Sequence, residues 1–216
     1  MKTVYFVRHG ESEGNISFVY QTTDAPLTTK GREQATFIAR RVARLPVDII
    51  ISSPAVRTKE TADTIAKEID KPVEYSELFA ERRTPSELWG RRVDDPEIAH
   101  ISDKIFQFDK DNYRFSNEEN FTDLKMRANA ALLYLEQRPE SHILVVSHGL
   151  FTRTIAARVL LGENITGQEY LRVLRAIRTR NTGLTVLNFK KHMGKSPEGP
   201  GSNWQLLVWN DHAHLG

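Results

Sequence analysis

The chain has 216 residues, 39% hydrophobic and 27% charged, enough for one full core and ordinary in balance. Thirty basic against twenty-eight acidic residues leave a formal charge of +2, so neither nucleic acid nor a membrane is expected as a partner. Cysteine is absent, which excludes a disulfide framework, a thiolate metal site and a cysteine nucleophile.

No apolar run reaches the length needed to span a bilayer. A strand begins within a few residues of Met1, where a signal peptide would have to lie, so the expected compartment is the cytoplasm. The Asn-x-Ser/Thr triplets at Asn15, Asn120 and Asn164 are therefore read as chance.

Taken in order, Val4 to Val7 is a wholly apolar, β-prone run that meets Arg8-His9-Gly10-Glu11. Such a run predicts a central strand of a parallel sheet, buried on both faces. A polar loop without periodicity follows through Asn15 to Leu27. Thr28 or Thr29 then offers a helix cap, and Ala35, Ile38, Ala39, Val42 and Leu45 recur at helical spacing until Pro46. Val47 to Ser52 reads as a second strand. Pro54 suits the start of a helix that runs to Ile69, with Ala62, Ile65 and Ala66 on its apolar stripe. Val73 to Tyr75 is a short third strand.

The alternation of strand and helix predicts an α/β fold with right-handed crossovers. From 79 to 120 the pattern degrades: charges are dense, and Pro85 and Pro96 interrupt it. We read this stretch as an irregular, partly helical insertion, lid-like within a single domain of residues 1–216. Regular structure resumes with a helix over Phe121 to Leu135, a fourth strand His142 to Ser147, and a helix ending at Gly162. Another helix fits near Glu169 to Leu174. Two alternating strands, Thr182 to Phe189 and Trp204 to Asn210, close the chain, joined through a surface loop at Gly194 to Gly201. The expected architecture is a three-layer α/β/α sandwich, mainly parallel, with an antiparallel element near the C-terminus.

Arg8-His9, Arg57 and His148 each fall at the carboxyl end of an expected strand, where open α/β sheets bind ligands. Two arginines and two histidines predict an anion site, most simply for phosphate. Guanidinium forks match phosphate oxygens and stay charged. A histidine held in one tautomer can then act as nucleophile.

These residues also carry a resemblance. Arg8-His9-Gly10-Glu11 with Asn15, Ser53-Pro54-Ala55-Val56-Arg57-Thr58-Lys59-Glu60-Thr61-Ala62, and Val146-Ser147-His148-Gly149 resemble, in order, the motifs of the histidine phosphatase superfamily. The resemblance implies the phosphoglycerate-mutase-like fold. It also implies a phosphomonoester hydrolase in which His9 becomes phosphohistidine while Arg8, Arg57 and His148 surround the phosphoryl oxygens. Glu81 matches the family's general acid and base, with Glu77 and Glu87 as the neighbouring carboxylates. Asn15 is implied as a secondary phosphate or loop contact. The implied partner is a small-molecule phosphomonoester, and neither a metal nor a cofactor is implied.

Arg82, Arg83, Arg91 and Arg92 form a basic cluster in the insertion. It is either a solvated face or a second anion contact favouring substrates with more than one acidic group. Arg82, next to Glu81, is the one expected to face the pocket and bind substrate. His192, His212 and His214 are read as surface histidines rather than a metal cluster.

Two alternatives stand beside the hydrolase. A cofactor-dependent phosphoglycerate mutase would keep the phosphohistidine and return the phosphoryl group to substrate. Gly14, where such mutases usually carry tryptophan, and the loop from Phe18 to Pro26 depart from their pattern. A non-catalytic phosphate-binding module predicts a missing nucleophile or arginine, and His9, Arg8, Arg57 and His148 are all present. Neither a Gly-x-Gly-x-x-Gly turn nor a Gly-Lys-Ser/Thr loop supports a nucleotide-binding reading.

Overall fold

The computed structural model describes residues 1–108, 110, 112–190 and 203–216. Among them, six strands form one mixed sheet: β1 (Lys2–Arg8), β2 (Ile49–Ser52), β3 (Val73–Tyr75), β4 (His142–Ser147), β5 (Leu184–Phe189) and β6 (Trp204–Asp211). Their order is β3-β2-β4-β1-β5-β6. The first four in sequence pair in parallel, whereas β5 runs antiparallel to β1 and β6 antiparallel to β5. The helices are α1 (Glu13–Ile16), α2 (Thr29–Val42), α3 (Val56–Ile69), α4 (Ala99–Ile105), α5 (Phe121–Gln137), α6 (Gly149–Leu161) and α7 (Gly167–Ala176).

Alternation along β1 builds the layers. Val4 and Phe6 pack with Ala128 and Leu135 of α5 and Phe151 and Ile155 of α6. Tyr5 and Val7 point to the other side, against Ile38 and Val42 of α2 and Ile65 of α3. β4 divides the same way, with Ile143 and Val145 on one face and Leu144 and Val146 on the other. Each fully buried side chain of this kind contributes about 1.5–3 kcal/mol. Two cores on opposite faces make the expected three-layer sandwich.

Local chemistry sets the joints around the site. Thr28 caps α2 by accepting from the Gly31 N–H at 2.9 Å. Gly31 must lack a side chain, because a Cβ there would lie 2.0 Å from the Glu11 carbonyl oxygen. Gly10 faces the same contact from the other side, where a Cβ would lie 2.4 Å from the Gly31 oxygen. The turn leaving β1 and the first turn of α2 thus meet backbone to backbone. Asn120 and Asp123 form a reciprocal capping box that starts α5.

The structure departs from the sequence expectation in four places. The polar loop after Asn15 is preceded by a one-turn helix, α1, and is tied to the insertion by bridges Val19↔Arg92 and Tyr20↔Trp89. β2 begins at Ile49 instead of Val47. β5 begins at Leu184 instead of Thr182, because Thr182 adopts a left-handed φ of 56°. The insertion is irregular as expected, with two short 3₁₀ helices and α4 among its described residues, yet carries its own small core of Leu88, Ile98 and Ile105. The connection Gly194 to Gly201 lies outside the described residues.

Candidate active site

Three neighbouring strands end in step at one edge of the sheet. Arg8 pairs with Ser147, and Ser52 with Val146. The ladder continues one residue further: His9 N donates to Ser147 O at 3.0 Å and Ser53 N to Val146 O at 3.0 Å. His9, His148 and Ser53 therefore emerge side by side at the carboxyl ends of β1, β4 and β2. Arg57 joins them from the first turn of α3. All four line one cavity of about 870 Å³ together with Arg8, Asn15 and Glu81.

The tautomers follow from the partners. His9 Nδ1 lies 2.7 Å from Gly10 O, which can only accept, so Nδ1 carries the proton and Nε2 keeps its lone pair. The His148 ring is 5.2 Å away, tilted by 63°. Its Nδ1 is 3.3 Å from Arg57 Nη2, which can only donate, so that nitrogen accepts. Nε2 must then donate to Ser53 Oγ at 2.8 Å. Burial holds both imidazoles well below their ordinary pKa, and the positive charges of Arg57 and Arg8 act in the same direction. Both rings are neutral at neutral pH.

Arg8 and Arg57 are fixed by backbone carbonyls and keep donors in reserve. Arg8 Nη1 donates to Thr179 O at 2.7 Å and Arg57 Nη1 to Thr22 O at 3.0 Å. The Nε–H of each is buried without a partner among the described residues. An unpaired buried donor costs about 1–3 kcal/mol, and an anion in the cavity offers acceptors to such groups. Asn15 has its Oδ1 engaged by Ser12 N at 3.1 Å and Asn181 Nδ2 at 3.3 Å, so it orders the loop from this cavity wall.

Glu81 is the only one of the three nearby carboxylates that borders the cavity. Glu77 opens a 3₁₀ helix, and Glu87 accepts from Ser116 Oγ at 2.7 Å on the exposed side. The Glu81 oxygens accept from Arg82 N at 2.9 Å, Leu150 N at 3.1 Å and Phe151 N at 3.0 Å, which places the carboxylate at the N-terminus of α6.

Arg82 borders the cavity, as expected, and its guanidinium is also tied to the insertion, donating to Glu119 O at 2.9 Å and Ile105 O at 2.5 Å and lying over the Phe106 and Phe108 rings, while Nη1 is buried with no partner among the described residues. It fastens the insertion and leaves Glu81 on the cavity side. Arg91 and Arg92 are likewise engaged elsewhere, with Asp95 and Glu97 and with Asp94. His214 is half-buried between Arg41 and Thr182, and burial beside Arg41 lowers its pKa to about 4. His192 lies outside the described residues.

Several contributors carry no local sequence signal. Arg127 grips Glu119 with two bonds of 2.7 Å and donates to Ala80 O at 2.7 Å, holding the segment that presents Glu81. Asn181 Nδ2 donates to His9 O at 3.0 Å. Arg153 of α6 and Arg178 after α7 also line the cavity. Arg153 follows Gly149 by one helical turn, a spacing that could have marked it. Arg178 and Asn181 depend on how the chain returns after α7.

Fold and site together define an α/β protein that gathers two arginines and two neutral histidines in one cavity at the carboxyl ends of adjacent strands. The chain belongs to the histidine phosphatase superfamily (branch 1), which it matches over residues 4–197. A probable phosphoglycerate mutase of Escherichia coli is 29% identical over 219 positions, covering 100% of this chain and 95% of the relative. Among solved structures, the phosphoserine phosphatase of Entamoeba histolytica, in complex with phosphoserine, superposes with a TM-score of 0.77 at 28% identity, covering 100% of both chains. YhfR of Bacillus stearothermophilus superposes with a TM-score of 0.83 at 23% identity, also over 100% of both chains, and speaks for the fold.

Proposed function

We propose that the chain is a metal-independent phosphomonoester hydrolase that works through a phosphohistidine on His9 and acts on a small-molecule substrate. The observation that carries this reading is the bond from His9 Nδ1 to Gly10 O, which leaves Nε2 as a lone-pair nucleophile between two buried arginines. Nε2 attacks phosphorus, forming the P–N bond as the ester P–O bond breaks. The leaving oxygen takes a proton from Glu81. Ionised Glu81 then takes a proton from water, which attacks phosphorus and releases phosphate and neutral His9. Arg8, Arg57 and His148 surround the phosphoryl oxygens and offset the charge of the in-line transition state. Glu81 has three of its roughly four acceptor positions taken by N–H groups, which leaves one for a proton.

A second reading, phosphoglycerate mutase, is favoured by the name of the Escherichia coli relative. Against it stand Gly14 and the loop from Phe18 to Pro26, which depart from the mutase pattern.

Phosphate release from a panel of phosphomonoesters, in the presence of chelator, tests the proposal. Turnover should survive chelation, and His9→Ala should lower kcat by roughly a thousandfold or more. Interconversion of 3- and 2-phosphoglycerate without phosphate release would give the case to the mutase. No turnover of either kind, together with no acid-labile phosphate trapped on His9, would leave a binding module and refute both.

A further inference from the structure

The cavity is larger and more positive than a phosphoryl group needs. Six arginines line it against two carboxylates, Glu81 and Asp24. Arg8 and Arg57 belong to the phosphoryl site, and Arg82 is fastened to backbone carbonyls of the insertion. Arg83 directs Nε to Asn117 O at 2.7 Å. Arg153 and Arg178 stand apart from the insertion, on α6 and just after α7, on the cavity wall they share with Arg8.

Arg153 is oriented, not neutralised. Its Nε donates to Gly149 O at 3.3 Å and its Nη1 to Leu174 O at 3.1 Å, while Nη2 has no partner among the described residues. No carboxylate forms an ion pair with it there. The Glu81 carboxylate lies near enough to favour the charge of Arg153, and Arg178 opposes it more weakly; Arg178 itself forms no ion pair among the described residues. With six arginines against two carboxylates, the cavity keeps an excess of positive charge on this wall, and an anion bound there lowers it.

The backbone that carries Arg178 is fixed to the phosphoryl site. Trp209 Nε1 donates to Arg178 O at 3.1 Å, and Arg180 N donates to Asn210 Oδ1 at 2.8 Å. The residue between them, Thr179, receives Arg8 Nη1 on its carbonyl at 2.7 Å. One strap therefore holds a phosphoryl arginine and presents Arg178, which sets the spacing between two anion positions.

We infer that Arg153 and Arg178 form a second anion subsite that selects phosphomonoesters bearing another acidic group close to the ester. The inference deepens the proposed function and rests on its phosphoryl site, though not on hydrolysis. The second-anion contact foreseen for the insertion arginines is supplied instead by α6 and the turn after α7.

Calorimetric titration of the His9→Ala protein tests the subsite without turnover. The probes are 3-phosphoglycerate, glycerol 3-phosphate, which lacks the carboxylate, and 1,3-propanediol bisphosphate. The acidic ligands should bind about tenfold or more tightly than glycerol 3-phosphate. Adding Arg178→Ala, at an exposed position where folding is not at stake, should erase that preference; Arg178→Lys should keep part of it. The tighter of the two acidic ligands identifies the second group as carboxylate or phosphate. Equal affinity for all three probes, or a preference that survives both Arg178→Ala and Arg153→Ala, would overturn the subsite. Binding with the preference intact, in a protein whose wild type releases no phosphate, would sink the hydrolase and uphold the subsite. Failure of every probe to bind would overturn it along with the phosphoryl site.

Discussion

Proton positions in this cavity are set by atoms that have no choice. Gly10 O can only accept and Arg57 Nη2 can only donate, so His9 and His148 take opposite tautomers. Neither imidazole has a proton to give to a leaving oxygen without breaking those bonds, and arginine does not release one. The proposed mechanism therefore gives the acid role to a carboxylate, Glu81. Its replacement by glutamine keeps the shape and removes the proton, which gives a selective prediction. An alkyl phosphate, whose leaving oxygen must be protonated, should lose roughly a hundredfold or more in kcat with Glu81→Gln. 4-Nitrophenyl phosphate, which leaves as a stable anion, should lose far less. Steady-state kinetics on both esters decide it; an equal loss on the two would remove Glu81 from the acid role.

At the scale of elements, the contact of greatest consequence is the one between the turn after β1 and the start of α2. The Gly31 Cα faces Glu11 O so closely that no rotamer can relieve an added methyl group. Alanine is the better helix former by about 1 kcal/mol, yet here the clash with a rigid backbone outweighs it. Gly31→Ala should lower stability by roughly 1–3 kcal/mol and reduce kcat/KM as well, because Glu11 is two residues from His9. Urea unfolding and kinetics of the variant check both effects, and a midpoint like that of the wild type would contradict the argument. The placement of Arg8, His9, Arg57 and His148 was legible in the sequence because each follows an apolar run or a Pro-initiated helix, both local signals. That Arg82 borders the cavity was legible, but its anchoring was not, because that depends on the carbonyls of Glu119 and Ile105, far along the chain. The same holds for Arg127, Arg178 and Asn181, whose partners are brought near only by packing, and for the bond from Arg153 to Leu174 O. β5 was visible as a strand, but its place beside β1 was not, since alternation marks a strand and says nothing of its neighbour.

The whole molecule joins a near-neutral surface to a cavity where positive side chains and two uncharged histidines are buried together. That arrangement has a consequence for folding. In the unfolded chain a histidine titrates near pH 6.5. Burial and the neighbouring arginines hold His9 and His148 well below that value in the folded state, and burial beside Arg41 lowers His214 to about 4. Above pH 7 these groups are neutral in both states and leave stability independent of pH. As pH falls below 6.5, the unfolded chain gains protons that the folded one refuses, so stability falls. The slope approaches about 1.4 kcal/mol per pH unit for each group, or about 4 kcal/mol per unit for the three together. Carboxylates depressed by ion pairs, such as Asp211 at about 2, add their loss only at lower pH. Urea unfolding between pH 7.5 and pH 5 should therefore show a plateau followed by a steep decline. His214→Gln, outside the cavity, should reduce that decline by the share of one proton. A stability that stays level from pH 7 to pH 5 would mean that the buried imidazoles accept protons in the folded state, contrary to the charges that surround them.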